Sequence, residues 1–234
     1  MKIKKEFDKS ANSYSNYSKV QAIGAKLLVK EVGKDIGNIA DIGCGSGRVY
    51  KNIRENSIYF NRFYGIDFSK EMLKLHPKEP NIELMVGDFN TISLFKKLEK
   101  LELDTIISSS ALQWAKNLEW SLRECSKVAN RGYFFIFTSK TFKSIHKIAK
   151  INSPIYPKES AIEAFTKSFK PNKIELLEYK LEFNNTLEML RYIQKSGVSA
   201  GVNLSYKKMK KILDEYPLDY LEFETLLLTG DSKC

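Results

Sequence analysis

The sequence has few of the residues that bind metals or form cross-links. It contains three cysteines and two histidines among 234 residues, with no CxxC or HxxxH spacing. Cys44, Cys125 and Cys234 are odd in number and far apart, which disfavours a disulfide framework and a zinc cluster and fits a reducing cytoplasm. We therefore expect no metal at the functional site.

Long apolar runs are also absent. No segment approaches the roughly 18 to 20 apolar residues that span a bilayer, and residues 1–6 are not followed by an apolar signal core. Prolines are sparse, and no internal repeat or linker divides the chain. We therefore expect a single cytoplasmic domain that does not contact a membrane, and 43% apolar residues suffice for an ordinary core.

Lysine, by contrast, is abundant. Lys and Arg number 38 against 28 Asp and Glu, which gives a net charge of +10. A surface this basic attracts nucleic acid, anionic membrane or an acidic protein, and composition alone does not choose among them. The alternative is that Lys simply serves as the solvated surface residue of a lysine-rich proteome.

Short apolar runs alternate with amphipathic stretches between residues 33 and 140, which is the pattern of βαβ units. Five strands are predicted, at 38–42, 62–67, 82–86, 103–108 and 133–138. Apolar and charged residues then alternate over 177–183 and 221–225, which predicts two half-exposed strands separated by helices. The fold class is therefore α/β: a doubly wound, Rossmann-like, mostly parallel seven-stranded sheet with an antiparallel edge strand.

We divide this single domain into four parts. Residues 1–32 form an N-terminal helical cap and residues 33–140 the ligand-binding core. Residues 141–173 have no strand character and are interpreted as a basic helical lid over the carboxyl ends of the strands, and residues 174–234 supply the last strands with inserted helices. From Lys140 to Lys173 there are eight lysines and two glutamates, so the predicted lid concentrates the positive charge.

A glycine loop directly follows the first strand. Gly43, Gly45 and Gly47 let the backbone approach a ligand closely, and the next helix presents free N–H groups to it. Asp67 ends the second strand, where a carboxylate can accept both ribose hydroxyls of an adenosine. A lone glycine loop is a weak signal, but this combination in register predicts a nucleoside site.

The same loop disfavours a pyrophosphate ligand. The GxGxG spacing lacks the third glycine of the dinucleotide motif, and Asp41 just beneath the loop would repel phosphate while attracting an ammonium group. S-adenosylmethionine has an ammonium group and no phosphate. Asp88, after the third strand, is placed to accept the adenine amino group, with Phe68 and Phe89 flanking the ring.

These motifs resemble those of class I S-adenosylmethionine-dependent methyltransferases over roughly residues 36 to 140. The resemblance implies that S-adenosylmethionine is bound without a metal and leaves as S-adenosylhomocysteine. The residues it assigns to the cofactor are Asp41, Gly43, Cys44, Gly45, Gly47, Asp67, Phe68, Met72, Gly87, Asp88, Phe89 and Ser109.

A narrower resemblance rests on residues 11–21, on the turn 108–114 after the fourth strand and on residues 190–198. These are similar to the malonyl-[acyl-carrier protein] O-methyltransferases of biotin biosynthesis. The similarity implies a malonyl group on acyl carrier protein as partner and substrate, with Tyr14, Gln21, Gln113 and Trp114 at the acceptor. Ser109 stands where that family has Asn, and the Leu-Gln-Trp turn also occurs in trans-aconitate methyltransferases, so another small carboxylate is an alternative acceptor.

A carboxylate acceptor needs no general base, because it is already ionised at pH 7. It does need a cationic partner, and Arg is the usual bidentate choice. Arginine is rare here, so we predict Arg191 as this clamp, with Tyr14, Tyr17 and Gln21 closing the site. The lysines of the predicted lid would then attract the acidic carrier protein.

Two other functions fit the same fold. A nucleic-acid methyltransferase would use the basic surface, but the chain has no Asn-Pro-Pro-Tyr-like turn, no paired catalytic cysteines and no appended RNA-binding module, so nucleic acid is disfavoured. The other is a relative that modifies a protein or has lost catalysis. The intact glycine loop, Asp67 and Asp88 argue against loss of the cofactor. Oligomeric state cannot be inferred from the sequence.

Overall fold

A computed structural model describes residues 17–196 and 205–234 of the chain. Its centre is a seven-stranded sheet in the order β3-β2-β1-β4-β5-β7-β6. β1 to β5 pair in parallel, whereas β7 lies antiparallel between β5 and β6. The predicted fold class, a mostly parallel sheet with an antiparallel edge, is confirmed.

The strands and helices have the following bounds. The strands are Asn38–Ile42 (β1), Arg62–Asp67 (β2), Ile82–Val86 (β3), Leu103–Ser109 (β4), Ala129–Phe137 (β5), Phe169–Glu182 (β6) and Tyr220–Ser232 (β7). The helices are Lys19–Glu31 (α1), Arg48–Glu55 (α2), Lys70–Leu75 (α3), Ile92–Leu98 (α4), Leu118–Val128 (α5), Lys143–Ala149 (α6), Lys158–Ser168 (α7), Thr186–Lys195 (α8) and Tyr206–Glu215 (α9). Short 3-10 turns cover Glu99–Leu101 and Leu112–Trp114.

Both faces of the central strands are buried under apolar side chains, whereas the edge strands β3 and β6 are partly exposed. Successive residues of a strand point to opposite faces, so Phe135 and Phe137 of β5 join a first core cluster with α1 and α2. Phe134 and Ile136 join a second cluster with α4, α5 and α7. This double burial explains why the parallel strands have continuous apolar runs instead of alternating ones.

Two strands begin earlier than the sequence predicts. β5 begins at Ala129, directly after α5, and pairs with β4 from Leu103 onwards. β6 begins at Phe169, so the prediction that residues 169–173 have no strand character is wrong. β6 is an edge strand, where Pro171 is tolerated because its missing N–H removes no central ladder bond, and the ladder shifts register between Pro171 and Lys173.

The two helices between β5 and β6 lie in different places. α6 follows the carboxyl end of β5 and buries Ile145 and Ala149 in the first core cluster. α7 packs along α5 and buries Ala161 and Phe165 in the second cluster. α7 therefore covers a face of the sheet, whereas the sequence analysis placed it over the carboxyl ends.

The helices predicted at 187–195 and 207–216 are observed as α8 and α9. Asn185 and Ser205 cap them by accepting hydrogen bonds from Glu188 N and Lys208 N. Gly197 to Gly201, between these helices, lie outside the described residues. Across residues 17–196 and 205–234, each helix is too short or too polar to cross a bilayer.

Candidate cofactor and acceptor site

The glycine loop is anchored to the neighbouring strand. Gly43 N and Cys44 N both donate to Ile66 O of β2, at 2.8 and 3.0 Å. Gly43, Gly45 and Gly47 have φ values of 74°, 53° and 82°, which are left-handed conformations that glycine adopts without a steric penalty. The loop therefore turns sharply from β1 into α2 and exposes backbone N–H groups at the carboxyl edge of the sheet.

Asp67 holds this loop from the end of β2. One carboxylate oxygen accepts a hydrogen bond from Gly45 N at 2.9 Å and the other accepts from Ser69 N at 2.8 Å. Ser69 in turn caps α3 by accepting from Met72 N. Each carboxylate oxygen can accept more than one hydrogen bond, so Asp67 can still accept from the hydroxyls of a ribose.

Asp41 is the most unusual group of the site. Its side chain is fully buried, lines the cavity in front of the loop, and neither carboxylate oxygen has a hydrogen-bond partner among the described residues. Burial, followed by the negative charge of Asp67, raises the pKa of the Asp41 carboxyl well above its usual range. A buried, unpartnered carboxyl group is costly, and a ligand ammonium group would supply what it lacks.

Cys44 belongs to the loop and lines the first cavity. Burial, together with the charges of Asp41 and Asp67, raises the pKa of its thiol well above the usual value. The thiolate is therefore disfavoured.

Two adjoining cavities share Phe68 and Phe89. The first, of about 80 Å³, contains Asp41, the glycine loop and Asp67. The second, of about 440 Å³, extends past the end of β3. Predicted site residues that line the first are Gln21, Asp41, Gly43, Cys44, Gly45, Asp67, Phe68, Met72, Phe89 and Ser109, and those that line the second are Phe68, Gly87, Asp88, Phe89 and Trp114.

Three residues are predicted to bind the adenine ring. Asp88 is exposed, and its Oδ1 accepts from Asn90 N and Asn90 Nδ2 at 2.9 and 2.8 Å. Phe89 is buried and Phe68 is half-buried. All three line the second cavity, and adenine binding there stays a prediction.

The turn after β4 brings polar groups to the opposite side. Ser108 donates to Ile42 O at 2.7 Å, which ties β4 to β1 below the loop. Ser109 Oγ is buried without a partner in the described chain. Gln113 Nε2 donates to Ser110 O at 2.7 Å, and its buried Oε1 accepts from no described group. Gln113 thus keeps one acceptor atom without a described partner, but it lines neither of the two cavities.

Gln21 connects α1 with α8. Its Nε2 donates to Ser196 O, at the end of α8, at 2.9 Å, while Oε1 is buried without a partner among residues 17–196 and 205–234. Tyr17 packs on Tyr192 of α8 and accepts a hydrogen bond from Lys195 Nζ at 3.2 Å. Tyr14 lies outside the described residues.

The structure does not bring Arg191 to these cavities. Arg191 is exposed on α8 and lines neither of them. The arginine that lines the first cavity is Arg48, whose guanidinium donates to Ser18 O and Ser18 Oγ at 2.9 and 2.7 Å. The sequence analysis missed Arg48, although its position directly after Gly47 was a usable signal.

The family comparison agrees with this site. Residues 40–137 match the family described as a methyltransferase domain. The matched span runs from β1 to the end of β5 and therefore contains the glycine loop, Asp67 and Asp88. The predicted resemblance to class I S-adenosylmethionine-dependent methyltransferases is confirmed.

Individual proteins that are similar to this chain are also named as methyltransferases. The malonyl-[acyl-carrier protein] O-methyltransferase of Acinetobacter baylyi is 28% identical over 195 residues, covering 81% of this chain and 74% of that protein. The protein of the same name from Chlorobium luteolum is 23% identical over 244 residues, covering 97% and 90%. A solved complex between the Haloferax volcanii Trm112 methyltransferase activator and a methyltransferase contains a chain of TM-score 0.64 and 16% identity, covering 97% of this chain and 96% of that one.

Proposed function

We propose that this chain, with its methyltransferase domain, transfers the methyl group of S-adenosylmethionine to the free carboxylate of a malonyl thioester carried by acyl carrier protein. The unpartnered Asp41 carboxyl beside the glycine loop is the observation that carries the choice of cofactor. The names of the curated relatives support the choice of acceptor. Biotin precursor synthesis is the corresponding biological role.

The residues present fit this cofactor. Asp41 would pair with the ammonium group, Asp67 would accept from the ribose hydroxyls, and Asp88 would accept from the adenine amino group, with Phe68 and Phe89 beside the ring. Bound S-adenosylmethionine supplies an activated methyl group on a sulfonium. Gly45 leaves open space in front of the loop, since a Cβ built there meets no atom within 4 Å, so the backbone can approach the ligand.

The reaction requires the protein to position the acceptor and requires no general base. A carboxylate with a reference pKa near about 4 is ionised at pH 7. Holding its oxygen about 3 to 3.5 Å from the methyl carbon, in line with the bond that breaks, supplies much of the acceleration. Within the described chain, no histidine or lysine lines the first cavity, which suits this mechanism.

Arg48 is a better candidate than Arg191 for the arginine that binds a carboxylate. It lines the first cavity, and its bonds to Ser18 hold the guanidinium in place. Its positive charge beside the cavity would attract a ligand carboxylate. Two carboxylates are candidates, that of the acceptor and that of the cofactor. Kinetic measurements on an Arg48 variant distinguish between them.

The assignment is tested with labelled S-adenosylmethionine and a set of acceptors: malonyl carrier protein, trans-aconitate and transfer RNA. We expect a base-labile methyl ester on the malonyl carrier. Label on trans-aconitate alone would establish a different small carboxylate as the acceptor. Label on RNA alone, or no label from a protein that binds the cofactor, would refute carboxyl methylation.

Two arginine variants, measured in the same assay, test which residue binds the carboxylate. We expect Arg48→Lys to lower kcat/KM for the malonyl acceptor at least about tenfold, because an ammonium cannot reproduce the two bonds to Ser18 that hold the guanidinium beside the cavity. If Arg48 binds the acceptor, the substitution raises the KM for the malonyl acceptor. If Arg48 binds the cofactor, it raises the KM for S-adenosylmethionine instead. Arg191→Ala tests the original prediction, and unchanged kinetics would remove Arg191 from the site.

A further inference from the structure

Two helices far apart in sequence form one basic surface. α6 and α9 pack against each other, and each buries apolar residues in the first core cluster: Ile145 and Ala149 from α6, Ile212 from α9. Their outward sides present lysines. These are Lys143, Lys147 and Lys150 at α6, and Lys207, Lys208, Lys210 and Lys211 on α9. We call these seven residues the α6/α9 surface.

The positive charge of this surface is only partly compensated. Lys211 pairs with Glu215 at 3.7 Å, and the other six ammonium groups form no ion pair with any described residue. The acidic groups nearby are fewer: Asp214 is exposed on α9, and the Glu222 carboxylate bonds Ser144 Oγ and, at 3.2 Å, Tyr216 OH. Glu224 is buried and bonds Thr138.

Lys167 and Lys173, later in the predicted lid, are different. Lys167 on α7 pairs with Glu119 and Glu163 at 2.9 and 3.0 Å. Lys173 on β6 pairs with Glu31 and Glu175 at 2.7 and 3.1 Å. Their charge is neutralised locally, on other parts of the molecule. Lysines without an ion pair to a described residue also occur elsewhere, Lys158 and Lys170 among them, but the α6/α9 surface brings seven lysines of two packed helices together.

This surface lies at the same end of the sheet as the cofactor cavity. α6 follows directly from the carboxyl end of β5, and Gly43 to Gly47 follow the carboxyl end of the parallel strand β1. α8 lies in the same core cluster through Tyr192 and Ile193. Ser196 O, directly after α8, accepts from Gln21, which lines the first cavity.

The exposed side of α9 also carries apolar groups. Tyr206 is 79% exposed and Leu213 is 42% exposed, and with Lys210 between them they share one helix face at i, i+4 and i+7 spacing. Such a surface is complementary to an acidic protein whose carboxylates surround apolar residues. Opposite charges accelerate the encounter of the two proteins, and burial of the apolar residues stabilises the complex.

We propose that the α6/α9 surface is the docking site for an acidic carrier protein that delivers the acceptor thioester. This inference rests on the proposed function for the nature of the partner. An acidic protein docked here would sit at the cavity end of the sheet, so that a flexible arm could reach from it into the site. Nucleic acid is the competing polyanion, and binding measurements decide between them.

The experiment measures binding separately from turnover. Fluorescently labelled malonyl carrier protein is titrated with the wild type, with Lys143→Glu/Lys147→Glu and with Lys207→Glu/Lys210→Glu. The matched control is Lys96→Glu/Lys100→Glu, which makes the same charge change at exposed positions of α4 and the adjoining turn. We expect each surface pair to weaken carrier binding at least about tenfold and the control at most about twofold.

Kinetics then separate docking from chemistry. With malonyl-pantetheine, a small acceptor without the carrier, both surface variants should keep kcat/KM within about twofold of wild type. Equal carrier affinity in all variants would overturn the docking site, as would surface variants that lose RNA binding while retaining carrier binding. A wild type that binds the carrier through this surface but transfers no methyl group would support docking and refute the proposed function. Thermal unfolding confirms that each variant is folded.

Discussion

At the scale of single residues, the buried Asp41 carboxyl would couple cofactor binding to its own ionisation. Burial raises its pKa well above the usual range, which disfavours the carboxylate form in the unliganded site, and pairing with an ammonium group would lower that pKa. The group that is costly to bury in the free protein would then be a specific binding group in the complex.

We predict that Asp41→Asn weakens binding of S-adenosylhomocysteine at least about tenfold, since a buried charge-assisted hydrogen bond contributes about 1.5 to 3 kcal/mol. Stability of the free protein should be unchanged or higher. Calorimetry measures both the affinity and any proton released on binding, through the dependence of binding enthalpy on buffer. Equal affinity in the two proteins would remove Asp41 from the ammonium site.

His76 supports the glycine loop from below. Its ring is 3% exposed and packs between Tyr50 and Phe63 at centroid distances of 5.6 and 5.7 Å. A Cβ built on Gly47 would lie 2.8 Å from this ring. The imidazole therefore fills the space directly beneath the turn into α2.

This burial gives His76 a predictable effect on stability. Burial lowers the pKa of its imidazole, Lys51 lowers it further, and the bond to Pro77 O opposes them. The folded state thus favours the neutral ring, while the unfolded chain takes up a proton as the pH falls through about 6.5. Stability is fully present above that pH and decreases below it.

We expect the urea midpoint of the wild type to fall more between pH 7.5 and pH 5.5 than that of His76→Phe, which keeps an aromatic ring and cannot titrate. His146 also has a pKa lowered by burial, so the variant should retain part of the loss. Parallel pH profiles for the two proteins would contradict this account.

At the scale of elements, the strand–loop–helix unit β1–α2 depends on glycine for two different reasons. A Cβ on Gly43 would meet Ala111 Cβ at 2.2 Å, whereas a Cβ on Gly45 meets nothing within 4 Å. Both residues have positive φ. A side chain at position 43 would therefore clash with the turn after β4, whereas a side chain at position 45 would enter the cavity.

Alanine variants should separate these roles. We expect Gly43→Ala to lower the free energy of unfolding by roughly 2 to 5 kcal/mol, from overpacking and left-handed strain together. Gly45→Ala should cost only about 1 to 2 kcal/mol but should weaken S-adenosylhomocysteine binding, because its methyl group enters the cavity. Denaturant unfolding and ligand titration measure the two effects, and equal destabilisation by both variants would contradict the contact with Ala111.

At the scale of the whole molecule, the net charge of +10 is unevenly compensated. Ion pairs neutralise Lys167 on α7 and Lys173 on β6, while six of the seven lysines of the α6/α9 surface form no ion pair with a described residue. Long-range steering depends on such uncompensated charge and is screened by salt.

We therefore predict a substrate-dependent salt effect. Between about 0.05 and about 0.5 M NaCl the Debye length shortens from roughly 14 to roughly 4 Å, so kcat/KM for malonyl carrier protein should fall steeply. The value for malonyl-pantetheine should fall much less, because it carries one charge and needs no docked protein. Equal salt sensitivity of the two acceptors would exclude electrostatic recruitment of the carrier.

The sequence by itself determined the sheet and the cofactor loop. Both are local: apolar runs bounded by turns specify β1 to β4, and the glycines with Asp67 follow their strands directly. The start of β6 at Phe169 was not predictable in this way, because residues 169–173 lack alternation and become a strand only by pairing with β7.

Only the tertiary structure decided how distant residues combine. It paired Lys167 with Glu119 of α5 and Lys173 with Glu31 of α1, placed Arg191 outside the two cavities and Arg48 in the lining of one, and joined α6 to α9. These outcomes depend on packing between elements separated by many residues. A charge count along the chain cannot show which ammonium groups find partners, because that depends on which helix faces meet when the core closes.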